Sequence, residues 1–165
     1  MRLLVLAVAV GSGSCGGRGA GRASDSDTAF AAMQSRGEMV MGVNQYTSAH
    51  VFEELPDGGR IILDTQSDSA GIAQIRRHMR DIAAAFRAGD FEKPFQVHAA
   101  DVPGTSVMAA RRSAISYQAI DRPRGGEVRI GTRDSVAVGA VHEFLAFQRR
   151  AHHAMAHEGD TGFLP

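Results

Sequence analysis

The chain has 165 residues, is 44% apolar, and carries 18 basic and 18 acidic residues, so its formal net charge is zero. This length predicts one globular domain, and no apolar run approaches the ~18 residues of a membrane-spanning helix. Three of the basic residues and no acid lie in positions 1–23, which leaves residues 24–165 with a formal charge of −3. A nucleic-acid partner is therefore not expected.

The first 23 residues have the layout of a secretory signal. Arg2 precedes an apolar block at residues 3–10, which is too short to span a bilayer, and small residues follow it. We predict a signal peptide over residues 1–23. Alternatively, the signal peptide ends at Cys15, as in bacterial lipoproteins, because small residues precede this cysteine. A lipid on Cys15 would then be the only attachment to a membrane. The predicted location is the periplasm or the outer surface of a bacterial cell envelope.

Residues 24–37 are predicted to be a tether and a short helix. Gly, Ser, Arg and Asp dominate residues 11–27, which have little to bury, and a short apolar stretch follows at residues 29–33. Cys15 is the only cysteine, so an intramolecular disulfide is excluded. Residues 38–165 are assigned to a single domain that core packing alone must stabilise.

The residue pattern in the first half of this domain predicts a strand, a turn, a second strand and a helix. Apolar and polar residues alternate over residues 50–55. Residues 56–59 read Pro-Asp-Gly-Gly, and residues 60–65 are again apolar and β-branched. Ser67 and Asp68 are competent N-caps, apolar residues then recur every three or four positions, and Gly89 stands where a C-cap is expected.

The second half repeats this order 67 positions later, so that Pro56 matches Pro123 and Thr65 matches Thr132. A strand at 115–121, the turn 123–126, a strand at 127–132 and a helix from about Ser135 follow one another, and Gly159 echoes Gly89. Neither unit, 49–89 or 115–159, can bury its apolar surface alone. We predict an α+β fold in which two strand-strand-helix repeats form a mainly antiparallel sheet covered by two long helices. Residues 91–108 between them predict an irregular crossover, followed by a short helix near 106–112.

Several motifs resemble a family of small exported bacterial proteins without an established activity. They are Thr-x-x-His-x-Phe at 47–52, Ile-Arg-x-His at 75–78, Gly-Asp-Phe at 89–91 and Gly-Gly-x-Val-Arg-Ile-x-Thr at 125–132. The resemblance covers residues 38–153, and some members of the family carry the label aspartate carbamoyltransferase. True carbamoyltransferases bind phosphate at a helix N-terminus that follows a Ser-Thr-Arg-Thr loop. Here Thr132 and Arg133 offer a weak candidate anion site, but Asp134 predicts ordinary capping instead.

Seven histidines and seven methionines are the only plausible set of metal ligands. In the two-repeat fold His78 and His142 flank the central layer, and His50 and His98 join them if the crossover folds inward. Imidazole suits copper and zinc, and thioether sulfur favours Cu(I). The alternative for each histidine is a partly buried ring with a hydrogen-bonded nitrogen.

The C-terminal histidines form a second candidate metal site. His153 and His157 are four positions apart and would share one face of a continued helix, where two imidazoles clamp a divalent metal weakly. The alternative is that polar groups near a helix C-terminus stay solvated and complement its dipole.

The residues favour a binding protein over an enzyme, because no paired acids, activated nucleophile or phosphate loop is convincing. The first hypothesis is an exported protein that binds a small ligand or a transition metal, copper or zinc, through its histidines. The second is a structural or protein-interaction module of the envelope, and the third is a small enzyme. The sequence leaves monomer and homodimer open.

Overall fold

The computed structural model describes residues 25–42 and 47–154 of the chain. This part contains five α-helices and four strands, and one 3₁₀ turn at Arg112–Ala114. In chain order the elements are α1 (Asp25–Met41), β1 (Ser48–Leu55), β2 (Gly58–Thr65), α2 (Ser69–Ala88), α3 (Glu92–His98), α4 (Thr105–Ala110), β3 (Ile115–Arg122), β4 (Gly125–Thr132) and α5 (Ser135–Ala151). The predicted signal peptide, with Cys15, lies outside the described residues, as do His157 and Gly159.

The four strands form one antiparallel sheet in the order β1-β2-β4-β3, which confirms the predicted α+β class. The strands of the two hairpins correspond end for end, with β1 matching β3 and β2 matching β4 at the same spacing as the sequence repeat. At the centre of the sheet Ile61 pairs with Val128, its own counterpart. The approximate twofold axis of the sheet therefore passes between these two residues.

The hairpin loops are tighter than the sequence predicts. The Pro-Asp-Gly-Gly segment predicts a turn, but Gly58 and Gly59 already belong to β2, and Pro56 and Asp57 alone make the loop. The strand ends are fixed in the same way in both halves. The Thr65 hydroxyl donates to the Thr47 carbonyl over 2.9 Å, and the Thr132 hydroxyl donates to the Ala114 carbonyl over 2.8 Å.

Each long helix packs mainly on the hairpin of the other half: α2 on β3 and β4, and α5 on β1 and β2. Two glycines at equivalent positions of the two halves lie where the helices cross the sheet. A Cβ atom at Gly126 would lie 2.9 Å from the Met79 Cγ on α2, and one at Gly59 would lie 2.2 Å from the Leu145 Cδ1 on α5. These distances are too short for ordinary packing, so glycine lets both helices approach the sheet closely.

The helix caps follow the sequence at three of four ends. Asp68 accepts a hydrogen bond from the Gly71 amide over 3.0 Å, and Gly89 ends α2 in the left-handed conformation with φ of 81°. Asp134 caps α5 by accepting from the amides of Val136 and Ala137. The fourth end differs, because α5 stops at Ala151 rather than continuing toward Gly159.

The crossover is more regular than predicted. Residues 92–98 form α3, although Pro94 suggests an irregular path. Pro94 is the third residue of this helix, where the missing N–H would have no intrahelical partner in any case. Helix α1 also extends well beyond the predicted stretch at 29–33, and it packs against α3.

The core lies between the helices and one face of the sheet. Its fully buried side chains include Leu63, Ile75, Phe86, Val128 and Phe144. None of the helices within residues 25–42 and 47–154 combines the length and apolar character that a bilayer crossing requires.

Candidate functional site

A small cavity lies between the sheet and the helices. Its walls come from β1, β2, α2, α3 and α5, with one residue from the end of α1, and its volume is about 70 Å³. Most of the wall is apolar, with Phe52 and Leu63 from the sheet, Phe86 from α2 and Phe144 from α5. These residues belong to the main hydrophobic core. The cavity is therefore a gap in the core layer.

Four histidines from four different parts of the fold line this cavity: His50, His78, His98 and His152. His50 lies on β1 and shares a sheet face with Phe52, because alternate residues of a strand point the same way. His78 is on the buried stripe of α2 and is 7% exposed. His98 is the last residue of α3, and His152 directly follows the end of α5. We call these four residues the cavity histidines.

Three of the cavity histidines pack ring against ring, with His152 in the middle. Its ring centroid lies 4.9 Å from that of His50 and 5.2 Å from that of His98. Phe52 borders the same group, at 5.5 Å from His152 and stacked at 5.6 Å on His50. These contacts hold the three imidazoles together as one aromatic group at the cavity wall.

His98 is oriented by a side chain from the neighbouring helix. Its Nε2 lies 2.9 Å from the Oε1 of Gln148, which is 5% exposed. An amide oxygen only accepts, so Nε2 carries the proton and the lone pair of neutral His98 lies on Nδ1. Phe147 packs against the same ring in an edge arrangement at 5.0 Å. The tautomer and the ring plane are thus both set by α5.

Burial keeps the cavity histidines neutral near pH 7. It lowers the pKa of His50 to about 4, with a further contribution from His78. It lowers the pKa of His78 to about 4, with Lys93 adding to the effect and Asp81 opposing it. The pKa of His152 falls to about 3, through burial first and then through His50, His98 and His153. Burial also lowers the pKa of His98.

The wall carries sulfur and one amine but no carboxylate. Met41 and Met79 contribute thioethers, Lys93 an ammonium group and Gln148 an amide. No Asp or Glu of the described residues lines the cavity. The donor atoms that these residues offer to a metal ion are therefore uncharged: imidazole nitrogen, thioether sulfur and the amide oxygen of Gln148.

The other half of the molecule holds larger aromatic rings at the matching place. His50 corresponds to Tyr117, because β1 and β3 match from their first residues, Ser48 and Ile115. His152 corresponds to Phe86, because α2 and α5 match from their first residues, Ser69 and Ser135. Tyr117 and Phe86 contact each other edge to face at 5.8 Å, and the His50 and His152 rings lie 4.9 Å apart. A pair of imidazoles thus occupies, in one half, the place that Phe and Tyr fill in the other.

The structure brings together three of the four histidines that the sequence groups. His50, His78 and His98 line the cavity, whereas His142 lies apart and its Nε2 donates to the Leu55 carbonyl over 2.9 Å. The loop before α2 has three residues and the loop before α5 has two. This difference moves the helix correspondence by one position relative to the strands, so the counterpart of His78 is Phe144, and His142 corresponds to Arg76.

His152 is the site residue that the sequence reasoning leaves out of this group. The signal that could have found it is the alignment of the two helices from their N-caps, Asp68 and Asp134, which matches His152 to Phe86 on the apolar stripe. The predicted pair of His153 and His157 requires a continued helix, but α5 ends at Ala151. His153 has φ of 50° and stacks on Phe30 with 4.3 Å between ring centroids.

The described residues contain no group of three or more His, Cys, Asp or Glu side chains that is already arranged to hold a metal ion. His50, His98 and His152 pack ring against ring, and His78 lines the same cavity. A shared ion would therefore require these side chains to rearrange.

The candidate anion site has the geometry of a capped helix. The Thr132 hydroxyl donates to the Ala114 carbonyl and accepts from the Asp134 amide over 3.1 Å. The Asp134 carboxylate accepts from the first amides of α5 and pairs with Arg111, while Arg133 is exposed. A carboxylate therefore occupies the position that a phosphate would take.

The sequence and the fold were compared with protein-family models, with curated proteins and with solved structures, and none of the three comparisons gave a match. The resemblance described above stays a prediction.

Proposed function

We propose that the protein is an exported binding protein that takes up a transition-metal ion in the cavity lined by the cavity histidines. The observation that carries the proposal is the gathering of four imidazoles, from segments distant in sequence, around one gap in the core. In the other half, Phe86 and Tyr117 fill the matching place with rings that carry no imidazole nitrogen. Packing alone does not require nitrogen-bearing rings at this position.

The size of the cavity favours an ion over an organic ligand. Sites for drug-sized molecules have volumes of about 300–1,000 Å³, whereas this cavity has about 70 Å³. A single water molecule needs about 10–15 Å³ of such cavity volume. The space therefore suits a metal ion with one or a few small ligands.

The chemistry of the wall supports the same class of ligand. Neutral imidazole is the form of histidine that binds metals, and it suits copper, zinc and nickel. The hydrogen bond from His98 to Gln148 leaves the Nδ1 lone pair free, and such outer partners commonly orient metal-binding histidines. Because the rings of His50, His98 and His152 are packed against one another, metal binding would require rotation of these imidazoles about their side-chain bonds.

Export follows from the N-terminal pattern and suits this function. The segment 1–23 is proposed to direct the chain to the periplasm or the cell surface, with Cys15 as the alternative point of lipid attachment. A protein there meets metal ions before they enter the cell.

The competing function is a structural or interaction module of the envelope, in which the cavity histidines only pack. The ring contacts among His50, His98, His152 and Phe52 favour it, because they resemble an aromatic core cluster. The two functions make different predictions for a variant in which Phe and Tyr rings replace two of the imidazoles. Such a variant loses metal binding only if the protein is a metal-binding protein.

The first test is metal titration of the purified chain with Zn(II), with Cu(II) and, under anaerobic conditions, with Cu(I), followed by calorimetry and by melting temperature. We expect stoichiometric binding of at least one of these ions and a rise in melting temperature with metal concentration. The variant His50→Tyr with His152→Phe copies the pair found in the other half, and it should fold and lose binding. His142→Gln, which retains a donor for the Leu55 carbonyl, should bind as the unchanged chain does.

Equal binding by the double variant and the unchanged chain would remove the cavity from consideration. Binding lost only on deletion of residues 155–165 would assign the metal to the C-terminal histidines instead. Absence of binding by either ion, together with absence of Cu(I) binding, would leave the envelope module as the function.

A further inference from the structure

The cavity wall combines imidazoles with thioether sulfur. Met79 lies on α2 next to His78, is 2% exposed, and packs against the sheet at Gly126. Met41, at the end of α1, lines the same cavity and is partly buried. Thioether sulfur is a soft ligand that favours Cu(I), whereas Zn(II) and Cu(II) in protein sites are bound mainly by imidazole, thiolate or carboxylate.

The charge of the wall points to a monovalent ion. The cost of bringing an ion into an apolar site grows with the square of its charge, and it is offset only where charged partners are present. No carboxylate of the described residues lines this cavity, and the one charged side chain that they place in its wall is the cation Lys93. A divalent ion would therefore enter without a neutralising partner, whereas a monovalent soft ion needs much less compensation.

We propose that the ion taken by the cavity is Cu(I), held by imidazoles of the cavity histidines together with the thioethers of Met79 and Met41. The inference rests on the proposed function and adds the oxidation state and the sulfur ligands. Neutral ligands replace the ligands that Cu(I) carries in solution, and no electron transfer is involved.

The chain offers matched controls for the sulfur ligands. Met108 is as buried as Met79, at 0% exposed, but it lies on α4 and outside the cavity wall. Met39 lies two positions before Met41 and is 74% exposed. Exchange of methionine for leucine nearly conserves volume and usually costs less than about 1.5 kcal/mol. The double variant Met41→Leu with Met79→Leu can therefore be compared with the control double variant Met39→Leu with Met108→Leu.

The experiment is anaerobic competition for Cu(I) with a coloured chelator, alongside Zn(II) and Cu(II) titrations of the full chain. We expect the chain to bind Cu(I) more tightly than either divalent ion. The cavity double variant should lose about tenfold or more in Cu(I) affinity, and the control double variant should not change. X-ray absorption at the copper edge should show sulfur neighbours in the unchanged chain and none in the cavity variant.

Tighter binding of Zn(II) than of Cu(I), with loss in the variant His50→Tyr with His152→Phe, would overturn this inference and leave the proposed function in place. Equal Cu(I) affinity of the two methionine double variants would reject the thioether ligands. Failure of all three ions to bind would overturn the inference and the proposed function together.

Discussion

Imidazole rings at His50 and His152 cost the free protein stability that hydrocarbon rings would provide. His50 and His152 are partly buried, which removes part of each ring from water. Within the described residues, His98 is the one cavity histidine with a side-chain hydrogen bond. At the matching position the second half uses Phe86, which is 1% exposed. Tyr117 there has a similar cost, because its buried hydroxyl has no partner among the described residues and burial raises its pKa.

The lowered pKa values predict that the metal-free chain loses stability as acid is added. Free histidine titrates near 6.5, whereas His50 and His78 titrate near 4 and His152 near 3 in the fold. Between these values the unfolded chain binds more protons, so the free energy of unfolding falls as the pH falls. For each such histidine the fall begins near pH 6.5 and amounts to about 1.4 kcal/mol per pH unit until the folded pKa is reached.

Urea denaturation between about pH 7.5 and pH 5 measures this effect, because the window spans the unfolded pKa of histidine. The variant His50→Tyr with His152→Phe should show a clearly shallower decline than the unchanged chain. Parallel curves for the unchanged chain and the double variant would mean that the two imidazoles titrate normally in the folded protein.

At the level of the elements, strand and helix registers differ by one position between the halves. Thr65 ends β2 as Thr132 ends β4, but the loop that follows Thr65 is one residue longer than the loop that follows Thr132. The sequence repeat in the turns and strand ends is strong enough to predict the hairpins and the helix starts. It does not reveal the shift inside the helices, which matches His152 to Phe86. The sequence groups His142 with the cavity for another reason, because His142 is next to Val141 on the apolar stripe of α5.

The two crossing glycines predict unequal effects of added side chains. In Gly59→Ala the new Cβ would lie 2.7 Å from the Glu53 carbonyl oxygen, and backbone there cannot move without disturbing the sheet. In Gly126→Ala the nearest atoms belong to the flexible Met79 side chain, at 2.9 and 3.3 Å. Overpacking of a core costs about 1–3 kcal/mol, and we expect Gly59→Ala to lie at or above the top of this range and Gly126→Ala nearer the bottom.

Gly139 on α5 provides the control for this pair, because no atom of the described residues beyond its chain neighbours and the backbone of its own helix lies within 4 Å of the position that an added Cβ would take. Gly139→Ala should stabilise the chain by up to about 1 kcal/mol through helix propensity. Thermal or urea unfolding of the three variants gives the comparison. A Gly59→Ala variant as stable as the unchanged chain would contradict the close approach of α5 to the sheet.

For the whole molecule, duplication is the property that the sequence reveals best. Amphipathic patterns and turn residues repeat locally, so the α+β class, the single sheet and the two covering helices can be predicted from them. Helix α3 cannot be predicted from the sequence, because proline is tolerated in the first turn of a helix but also occurs in irregular segments. Pro94 therefore does not distinguish the two. The crossing of each helix onto the other hairpin, and with it the meeting of His50 and His152, depends on tertiary packing between residues from opposite ends of the domain.

The central claim is that the cavity histidines bind a metal ion together. Imidazole nitrogen chemical shifts of the isotope-labelled chain, recorded anaerobically before and after an equimolar amount of Cu(I) is added, test it most directly. We predict large changes at nitrogens of at least three of His50, His78, His98 and His152, and no change at His142. Changes confined to His153 and His157, or no change at any histidine, would contradict the account.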